Sequence, residues 1–447
     1  MDNSGLLIGN GILITRDERG TFYPDGAVYV EGNKIACVGP TEELEARYPH
    51  AEFIDADGML IMPGFINMHE HIYSAFARGL NIPGEAPKEF LGILEHTWWN
   101  IDRHLLLDRT YHSAMMTYIE CIRNGVTFVN DHHASYADIS GSLFEIARVA
   151  ETLNVRTCLS YEISDRDGEY KRDRAIDENM QFIAYARGKS TSMLKGLVGL
   201  HASFTLGDET LRLCREKNTY NAGYHVHIAE GAYDEEHCEK EYGMSVVRRF
   251  ASAGILGENT VAGHCIHISG NDLDILRDTG TMVVHNPESN MGNAVGAPDI
   301  IAMLDKGIKV GLGTDGYTQD MTESLKAACI LQKHNRKLAD RGFSEACELL
   351  FDNNAAMASR IVGEPVGVLT PGALADIIIV GYKPYTPLNA DNINGHIMFG
   401  VTGAMTDTTI INGKVLMRKR KLLGIDEEAV RAECRKSAQN LWNDLCE

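Results

Sequence analysis

The sequence predicts an α/β protein in which a (β/α)8 TIM barrel carries a small β-sandwich domain formed from both ends of the chain. Between residues 63 and 363, apolar or β-branched runs alternate with amphipathic helical segments. Alternation of this kind predicts a parallel sheet covered by helices. Eight runs can be counted, and eight βα repeats of this total length are typical of a closed barrel with insertions.

The eight runs share a polar carboxyl end. In chain order they are LIMPGFINMHEH, VTFVNDHH, RTCLSYEIS, LKGLVGLHAS, GYHVHIAE, TVAGHCIH, MVVHNPESN and KVGLGTDG. Amphipathic segments such as RTYHSAMMTYIECIRNG separate them. Barrel active sites lie at the carboxyl ends of the strands, and their residues come from several strands. Histidine and aspartate at so many strand ends therefore predict a functional site there.

Residues 1–62 and 364–447 have a different character, with short strands and hairpins. The segment GAVYVEGNKIACVG alternates around a Gly32-Asn33 turn, and TTIINGKVLM around an Asn412-Gly413 turn. Neither end is large enough for a core of its own. We therefore expect one β-sandwich domain from both ends, completed by a helix over about 426–445, with the barrel over residues 63–363.

Composition restricts the function and the location of the protein. There are 42 Lys and Arg against 62 Asp and Glu, a net charge of −20, which argues against a nucleic-acid partner. The sequence has no apolar stretch of about 20 residues, so we expect no membrane span. Ten cysteines without a CxxC pair fit free thiols, and no signal peptide is evident. We expect a cytoplasmic protein that binds a small molecule and has no nucleic-acid or membrane partner. Because homodimers are the commonest oligomers, a homodimer is the expected assembly.

His69 and His71 end the first barrel strand. Alternate strand residues point the same way, so both rings face the barrel axis and Glu70 turns away. Two adjacent imidazoles are poor core filler because their nitrogens need partners, but they are good ligands for a metal such as zinc. A paired structural histidine site is the alternative.

Three further groups complete a candidate metal site. His227 ends the fifth strand and can supply a third ligand, and Glu230 follows it as a carboxylate suited to general base work. Asp315 ends the eighth strand, although an aspartate there could also serve a turn or a helix cap. His225 also faces inward, and we place it one layer deeper, in the hydrogen-bonded core.

Together these motifs resemble the metal-dependent amidohydrolase superfamily. The matching segments are PGFINMHEH on the first strand, HVHIAE on the fifth, AGHCIH on the sixth and GLGTDG on the eighth. The fourth strand ends in GLHAS, without the lysine of binuclear members, which points to the mononuclear deaminase and chlorohydrolase-like branch. Within that branch, HTWWNIDR, DHHAS, SNMGNAVG and ADNINGHIMFG are similar to the SsnA aminohydrolases, typically encoded among purine-catabolism genes.

The resemblance implies an aminohydrolase, or deaminase, that acts on a carbon–nitrogen bond of a small purine-related heterocycle through metal-activated hydroxide. One divalent ion, expected to be Zn2+ although Fe2+ and Mn2+ also suit the ligands, would be bound by His69, His71, His227 and Asp315. Asp315 would also accept the water proton, Glu230 would shuttle protons, and His264 would reach the developing oxygen.

Substrate contacts are expected at the same end of the barrel. The candidates are His201, Tyr73, Arg78, Trp98 and His133. Trp99 stands beside Trp98 in a long insertion, where the pair could stack on a planar ring or simply pack a lid helix. Asn290 on the seventh-strand loop is a candidate polar lining residue. A packing role is an alternative for Tyr73 and Arg78.

Other functions use the same residues. A cyclic amide ring-opening hydrolase and a hydrolytic dechlorinase need the same metal site, whereas a non-catalytic metal-binding scaffold needs only the ligands. Glu230 and His264 favour an enzyme, because a scaffold has no need of a proton shuttle. The exact substrate and leaving group stay open.

Overall fold

The computed structural model describes residues 5–446. Its amino-terminal part forms five strands and one helix: β1 (Leu6–Ile14), β2 (Phe22–Glu31), β3 (Lys34–Pro40), α1 (Thr41–Arg47), β4 (Glu52–Asp55) and β5 (Leu60–Pro63). β2 and β3 are antiparallel and join through the Gly32-Asn33 turn, as the sequence pattern predicts.

The barrel follows directly. Its strands are β6 (Phe65–Glu70), β7 (Val126–His133), β8 (Arg156–Tyr161), β9 (Leu194–Gly196), β10 (Val198–Leu200), β11 (Tyr224–Ile228), β12 (Val261–His264), β13 (Met282–His285) and β14 (Val310–Leu312). All neighbouring pairs are parallel, and β9 and β10 are two halves of one interrupted strand. Parallel bridges Ile163–Leu200 and Glu70–Asp315 close the ring. The predicted eight-stranded barrel is therefore confirmed.

Helices cover the outside of the barrel. They are α2 (Phe90–Ile93), α3 (Trp99–Asp102), α4 (Leu107–Arg123), α5 (Ser142–Leu153), α6 (Glu169–Gly188), α7 (Asp208–Lys217), α8 (Ala232–Tyr242), α9 (Val246–Ser252), α10 (Gly270–Thr279), α11 (Pro287–Gly292), α12 (Ile300–Asp305), α13 (Met321–Arg336), α14 (Phe343–Cys347), α15 (Asn354–Val362), α16 (Ile393–Gly400) and α17 (Glu427–Cys446). Three 3-10 turns (Ile72–Ala77, Ser203–Thr205, Gly403–Met405) and two π-helical turns (Leu94–Trp98, Glu348–Asn353) complete the set. Within residues 5–446, no helix combines the length and the apolar character needed to cross a membrane.

Helix α4 illustrates why these segments are helical. Ala114, Met115, Tyr118, Ile119 and Ile122 are buried and recur at three- and four-residue spacing, which places them on one face. That face packs in the main core between helices and barrel strands, so burial of the apolar stripe stabilises the helix against the sheet.

The carboxyl-terminal strands are β15 (Ile377–Val380), β16 (Thr406–Ile411), β17 (Lys414–Arg418) and β18 (Lys421–Leu422). Antiparallel pairing of β15 with β5 joins them to the amino-terminal strands. The result is a continuous nine-stranded sheet in the order β18-β17-β16-β15-β5-β1-β2-β3, with β4 paired to β1. The sheet has its own core, which includes Ile8, Val28, Ile61 and Ile379. Both chain ends thus contribute to one small sheet beside the barrel, as the predicted fold class requires, and the domain boundaries at residues 62/63 and 363/364 stay predictions.

A buried ion pair joins this sheet to the barrel. The Arg156 guanidinium, at the start of β8, donates from Nε to Asp376 Oδ2 at 2.8 Å and from Nη2 to Asp376 Oδ1 at 2.9 Å. The backbone N–H of Asn412 also donates to Asp376 Oδ1. Because both side chains are almost fully buried, each needs the other to satisfy its charge.

Replacing Asp376 by alanine is expected to lower the free energy of unfolding by about 3–5 kcal/mol, because Arg156 is left buried without its counter-charge. Urea denaturation followed by circular dichroism measures the change. Asp278→Ala is the matched control, since its ion pair with Arg277 is exposed, and it should leave the unfolding midpoint unchanged. A wild-type midpoint for Asp376→Ala would show that the pair does not hold the domains together.

Candidate metal centre and active site

The four predicted metal ligands converge at the carboxyl end of the barrel. His71 Nε2 lies 3.0 Å from Asp315 Oδ1, and His69 Nε2 lies 3.8 Å from the same oxygen. His227 Nε2 lies 3.2 Å from His71 Nε2. Ligand atoms of the three histidines all fall within 4.8 Å of one another. One cation could therefore contact all four side chains.

The outward nitrogen of each ligand histidine has a fixed partner. His71 Nδ1 lies 2.5 Å from the carbonyl oxygen of His132, and His227 Nδ1 lies 3.0 Å from that of His201. A carbonyl can only accept, so both Nδ1 atoms carry a proton and donate it, which leaves Nε2 of a neutral ring free to bind a metal.

His69 is oriented by a second histidine instead of a carbonyl. Its Nδ1 lies 2.8 Å from His225 Nε2, and His225 Nδ1 lies 3.3 Å from the Ser160 hydroxyl. Ser160 donates to the Asp131 carbonyl oxygen. The chain of contacts places His225 one layer below the ligands, where its role is to orient His69.

The donor set fits a divalent cation. Nε2 of His69 is buried and has no hydrogen-bond partner among residues 5–446, and a buried nitrogen without a partner is costly. Three imidazoles and one carboxylate form a typical set for zinc and similar ions. Burial disfavours a charged His71 ring, but Asp315 outweighs this effect and raises the pKa of His71 to about 9. A cation that binds here must displace that proton.

Glu230 and His264 stand beside the ligands. His264 Nε2 lies 3.5 Å from Glu230 Oε2 and 3.8 Å from Asp315 Oδ2. His264 Nδ1 contacts Asn290 Oδ1 at 2.8 Å. Asn290 therefore supports His264, and it is not among the residues that line the adjacent cavity.

The two carboxyl groups differ in their affinity for a proton. Burial raises the pKa of Glu230 to about 7. Burial also opposes ionisation of Asp315, but His71 and the Ser289 hydroxyl outweigh it and hold the pKa of Asp315 below its usual range. Neighbouring acids with separated pKa values are typical of acid–base sites. Glu230 can hold and release a proton near neutral pH, while Asp315 stays ionised.

Backbone strain is concentrated at the same strand ends. Ala229, His264 and Asp315 all have left-handed φ values, of 46°, 71° and 56°. Each follows or ends a barrel strand and costs energy on the order of 1–3 kcal/mol, which surrounding structure must offset. The strain turns Glu230, His264 and Asp315 toward the centre.

A cavity of about 200 Å3 opens over the metal ligands. Its floor includes His71, His227, Glu230 and Asp315. Aromatic rings form much of its wall: Tyr73, Phe90, Trp98, Trp99, Phe204, Tyr233 and Tyr317. Pockets of this kind, apolar with a few converging polar groups, take small molecules.

Three of the predicted substrate-binding residues, His201, Tyr73 and Trp98, line the cavity, and Trp99 joins them. Two others do not reach it. Arg78 is exposed and donates to Gln319, because the 3-10 turn Ile72–Ala77 carries the chain away from the site. The His133 ring is fully buried between Tyr73 and Tyr161.

Several residues that line the cavity were not predicted from the sequence. Glu162 follows the third strand just as His201 follows the fourth, so the acidic end of RTCLSYEIS was an available signal. Phe204, Tyr233 and Asn293 come from loops and short helices, whose positions the strand pattern does not determine.

Comparison with known proteins agrees with this geometry. The family model described as "Amidohydrolase family" matches residues 60–416, and one described as "Imidazolonepropionase-like composite domain, bacteria" matches residues 26–51. The 5-methylthioadenosine/S-adenosylhomocysteine deaminase of Pelotomaculum thermopropionicum is 30% identical, over 98% of this chain and 99% of that protein. The 5'-deoxyadenosine deaminase of Methanosarcina mazei is 28% identical over 98% of each chain.

A solved structure shares the fold. The adenosine deaminase from Xanthomonas campestris with bound zinc superposes with a TM-score of 0.86 at 20% identity, covering 98% of both chains. At this identity the likeness concerns the fold, which supports the assignment of the barrel and the terminal sheet to one architecture.

Metal analysis tests the four-ligand centre. Wild-type protein should hold about one divalent ion per chain, and a His69→Ala, His71→Ala double variant should lose it, because half of the ligands are removed. Inductively coupled plasma mass spectrometry gives the stoichiometry. His334→Ala, on the exposed end of α13, is the matched control. Unchanged metal content in the double variant would contradict the site.

Proposed function

The chain belongs to the amidohydrolase family and is a metal-dependent hydrolase of carbon–nitrogen bonds, and from this premise we propose that it deaminates a purine of the adenosine type. The observation that carries the proposal is the position of Glu230 and His264 beside a three-histidine, one-aspartate centre under an aromatic cavity. Relatives named as deaminases of 5'-deoxyadenosine and methylthioadenosine support the choice of a purine.

His69, His71, His227 and Asp315 would hold the cation, and we propose Zn2+, as in the Xanthomonas structure, although Fe2+ and Mn2+ suit the same donors. When bound, a divalent cation acts as a Lewis acid that makes water nucleophilic near neutral pH.

The protein side chains then handle the protons. Asp315 stays ionised and can accept the proton of the attacking water at Oδ2. Glu230 gives a proton to a ring nitrogen, takes the second water proton from the new hydroxyl group and passes it to the departing amino group. The amino group leaves as ammonia, the water oxygen stays on the ring carbon as a carbonyl, and the proton held by Asp315 returns to Glu230. His264 Nε2 lies within reach of both carboxyl groups, where it can form a hydrogen bond with the water oxygen or its proton.

The size and lining of the cavity suit a substrate with a single small ring system. The Trp98 and Trp99 side chains line it with the Tyr73 ring, and aromatic walls both stack on a planar ring and exclude water. The negative net charge of the chain disfavours a polymeric nucleic acid. A free base or nucleoside is the proposed partner.

The narrower resemblance to SsnA proteins, the cytoplasmic location and a homodimer remain predictions from the sequence. The absence of a nucleic-acid partner is likewise a proposal, based on the acidic composition, and the absence of a membrane partner is one based on the lack of a long apolar stretch.

A substrate panel tests the proposed activity. Purified enzyme is incubated with adenosine, 5'-deoxyadenosine, adenine, guanine, s-triazines and hydantoin-like cyclic amides, with and without chelator. Chelator-sensitive ammonia release from an aminopurine is expected. Ring loss without ammonia would favour cyclic-amide hydrolysis, and chloride release from a chlorotriazine would favour dechlorination. Turnover confined to acyclic N-acyl amino acids, or no chelator-sensitive turnover at all, would contradict the proposal.

Glu230→Gln separates the proton carrier from the ligands. The variant should keep its metal and lose about 10²–10⁴ in kcat, the usual contribution of a general acid–base group. Steady-state kinetics and metal analysis are measured together. Glu239→Gln on exposed α8 makes the same change of charge and should match wild type. An active Glu230→Gln enzyme would exclude the role, and loss of metal would make Glu230 a ligand.

A further inference from the structure

Glu162 is a buried carboxylate that the proposed reaction does not use. It follows β8 directly, its exposed fraction is 3%, and it lines the cavity above the metal ligands. It lies two barrel strands away from Glu230. Glu162 would therefore contact a part of the substrate other than the carbon that reacts beside Glu230.

One oxygen of Glu162 is committed and the other is available. Oε1 accepts a hydrogen bond from Arg166 Nη2 at 3.1 Å. Oε2 has no donor within hydrogen-bond distance among residues 5–446, and His132 Nδ1 lies 3.9 Å from it. Buried polar groups are normally hydrogen-bonded. A substrate in the cavity can provide the missing donor.

Arg166 fixes the position of this carboxylate. Its guanidinium also pairs with Asp102 of α3, in the insertion that carries the two tryptophans. The guanidinium carbon lies 4.1 Å from the centroid of the Tyr136 ring and 5.1 Å from that of Trp99. Because Arg166 is held on three sides, Glu162 and Trp99 keep a constant relation to each other.

His201 adds a second acceptor to the same cavity. Its Nδ1 lies 2.7 Å from Thr205 Oγ1, and the Thr205 hydroxyl donates to the Ala202 carbonyl oxygen. His201 Nδ1 must therefore be the donor in their contact, which leaves Nε2 as an acceptor.

The charge of the lining points the same way. Glu162, Glu230, Asp234 and Asp315 contribute carboxyl groups, and none of the described residues that line the cavity is lysine or arginine. Like charges placed next to each other repel and disfavour binding. A phosphate or carboxylate on the substrate would find no counter-charge from these side chains.

We propose that Glu162 is a specificity-determining residue, which accepts a hydrogen bond from an N–H or O–H group of the substrate and, with the other acids, selects substrates that lack a negative charge. The inference rests on the proposed function, since it concerns the substrate of the same site. The donor is either an amino group on the ring or a hydroxyl of an attached sugar, and matched probes distinguish these sources.

Glu162→Gln is a sharp test because of Arg166. Arg166 requires an acceptor, so the amide oxygen of the glutamine takes the place of Oε1, and the NH2 group replaces Oε2. The acceptor that faces the substrate becomes a donor. Glu169→Gln, exposed at the start of α6, makes the same change of charge as a matched control.

Binding is measured by isothermal titration calorimetry on zinc-loaded enzyme that also carries Glu230→Gln, which prevents turnover of adenosine during the titration; wild type in these titrations means the form that keeps Glu162. Guanosine and inosine differ only by a ring amino group, and adenosine and 2',3'-dideoxyadenosine only by two hydroxyls. In one of these pairs, Glu162→Gln should weaken the binding of the nucleoside that carries the extra donor about 10-fold or more. The affinity for the nucleoside without that donor should stay unchanged. Wild type should bind adenosine 5'-monophosphate at least about 10-fold more weakly than adenosine, and Glu162→Gln should narrow that gap.

The assignment would be overturned if Glu162→Gln changed the affinity for both nucleosides of each pair equally, or changed neither pair. Equal wild-type affinity for adenosine and its monophosphate would also overturn it. Metal content and melting temperature should match wild type, and a fall in either would assign Glu162 a structural role instead. Ammonia release is recorded separately. If the binding pattern is as expected but no ammonia is released, only the proposed deaminase activity is contradicted. If ammonia is released but Glu162→Gln weakens the binding of all nucleosides equally, only the proposed role of Glu162 is contradicted. Failure of all the nucleosides to bind contradicts both.

Discussion

Three imidazole rings meet one carboxylate at the end of the barrel, and the arrangement depends on hydrogen bonds that point away from the centre. His71 and His227 donate from Nδ1 to backbone carbonyls of neighbouring strand ends, and His69 contacts His225. Each bond fixes both the tautomer and the rotation of a ring. The barrel backbone thereby prepares the ligand set, and the strand register that aligns those carbonyls is as important as the ligands.

The same crowding separates the chemistry of the two acids. Asp315 accepts a hydrogen bond from the Ser289 hydroxyl and faces His71. Glu230 has long contacts with Asn293 and His264, and burial has the larger effect on its pKa. A few ångströms of difference in surroundings thus give one carboxyl group a permanent charge and the other a proton to exchange. Both side chains end in the same functional group, so their surroundings account for the difference.

The sequence was sufficient for the parts of the structure governed by fixed periods. His69 and His71 could be placed on one side of a strand because the period of two is a property of the backbone, and both hairpin turns followed from local chemistry. The wall of the cavity could not be derived in this way. Trp99 meets Arg166 only because an insertion folds over the barrel, and the departure of Arg78 from the site depends on one 3-10 turn. Such contacts join segments distant in the chain, and no local pattern encodes them.

The pairing of β5 with β15 has a consequence for synthesis of the protein. Strands β1, β2 and β3 leave the ribosome before the barrel and can form hairpins. β5 can then pair with β1, but its second partner, β15, becomes available only after the whole barrel has been made. Arg156 likewise waits for Asp376. Contacts between such remote segments form slowly, and exposed strand edges invite association with other chains in the meantime. The terminal sheet therefore acts as the final closure of folding, and the nascent chain is at its most vulnerable to aggregation just before its last strands emerge.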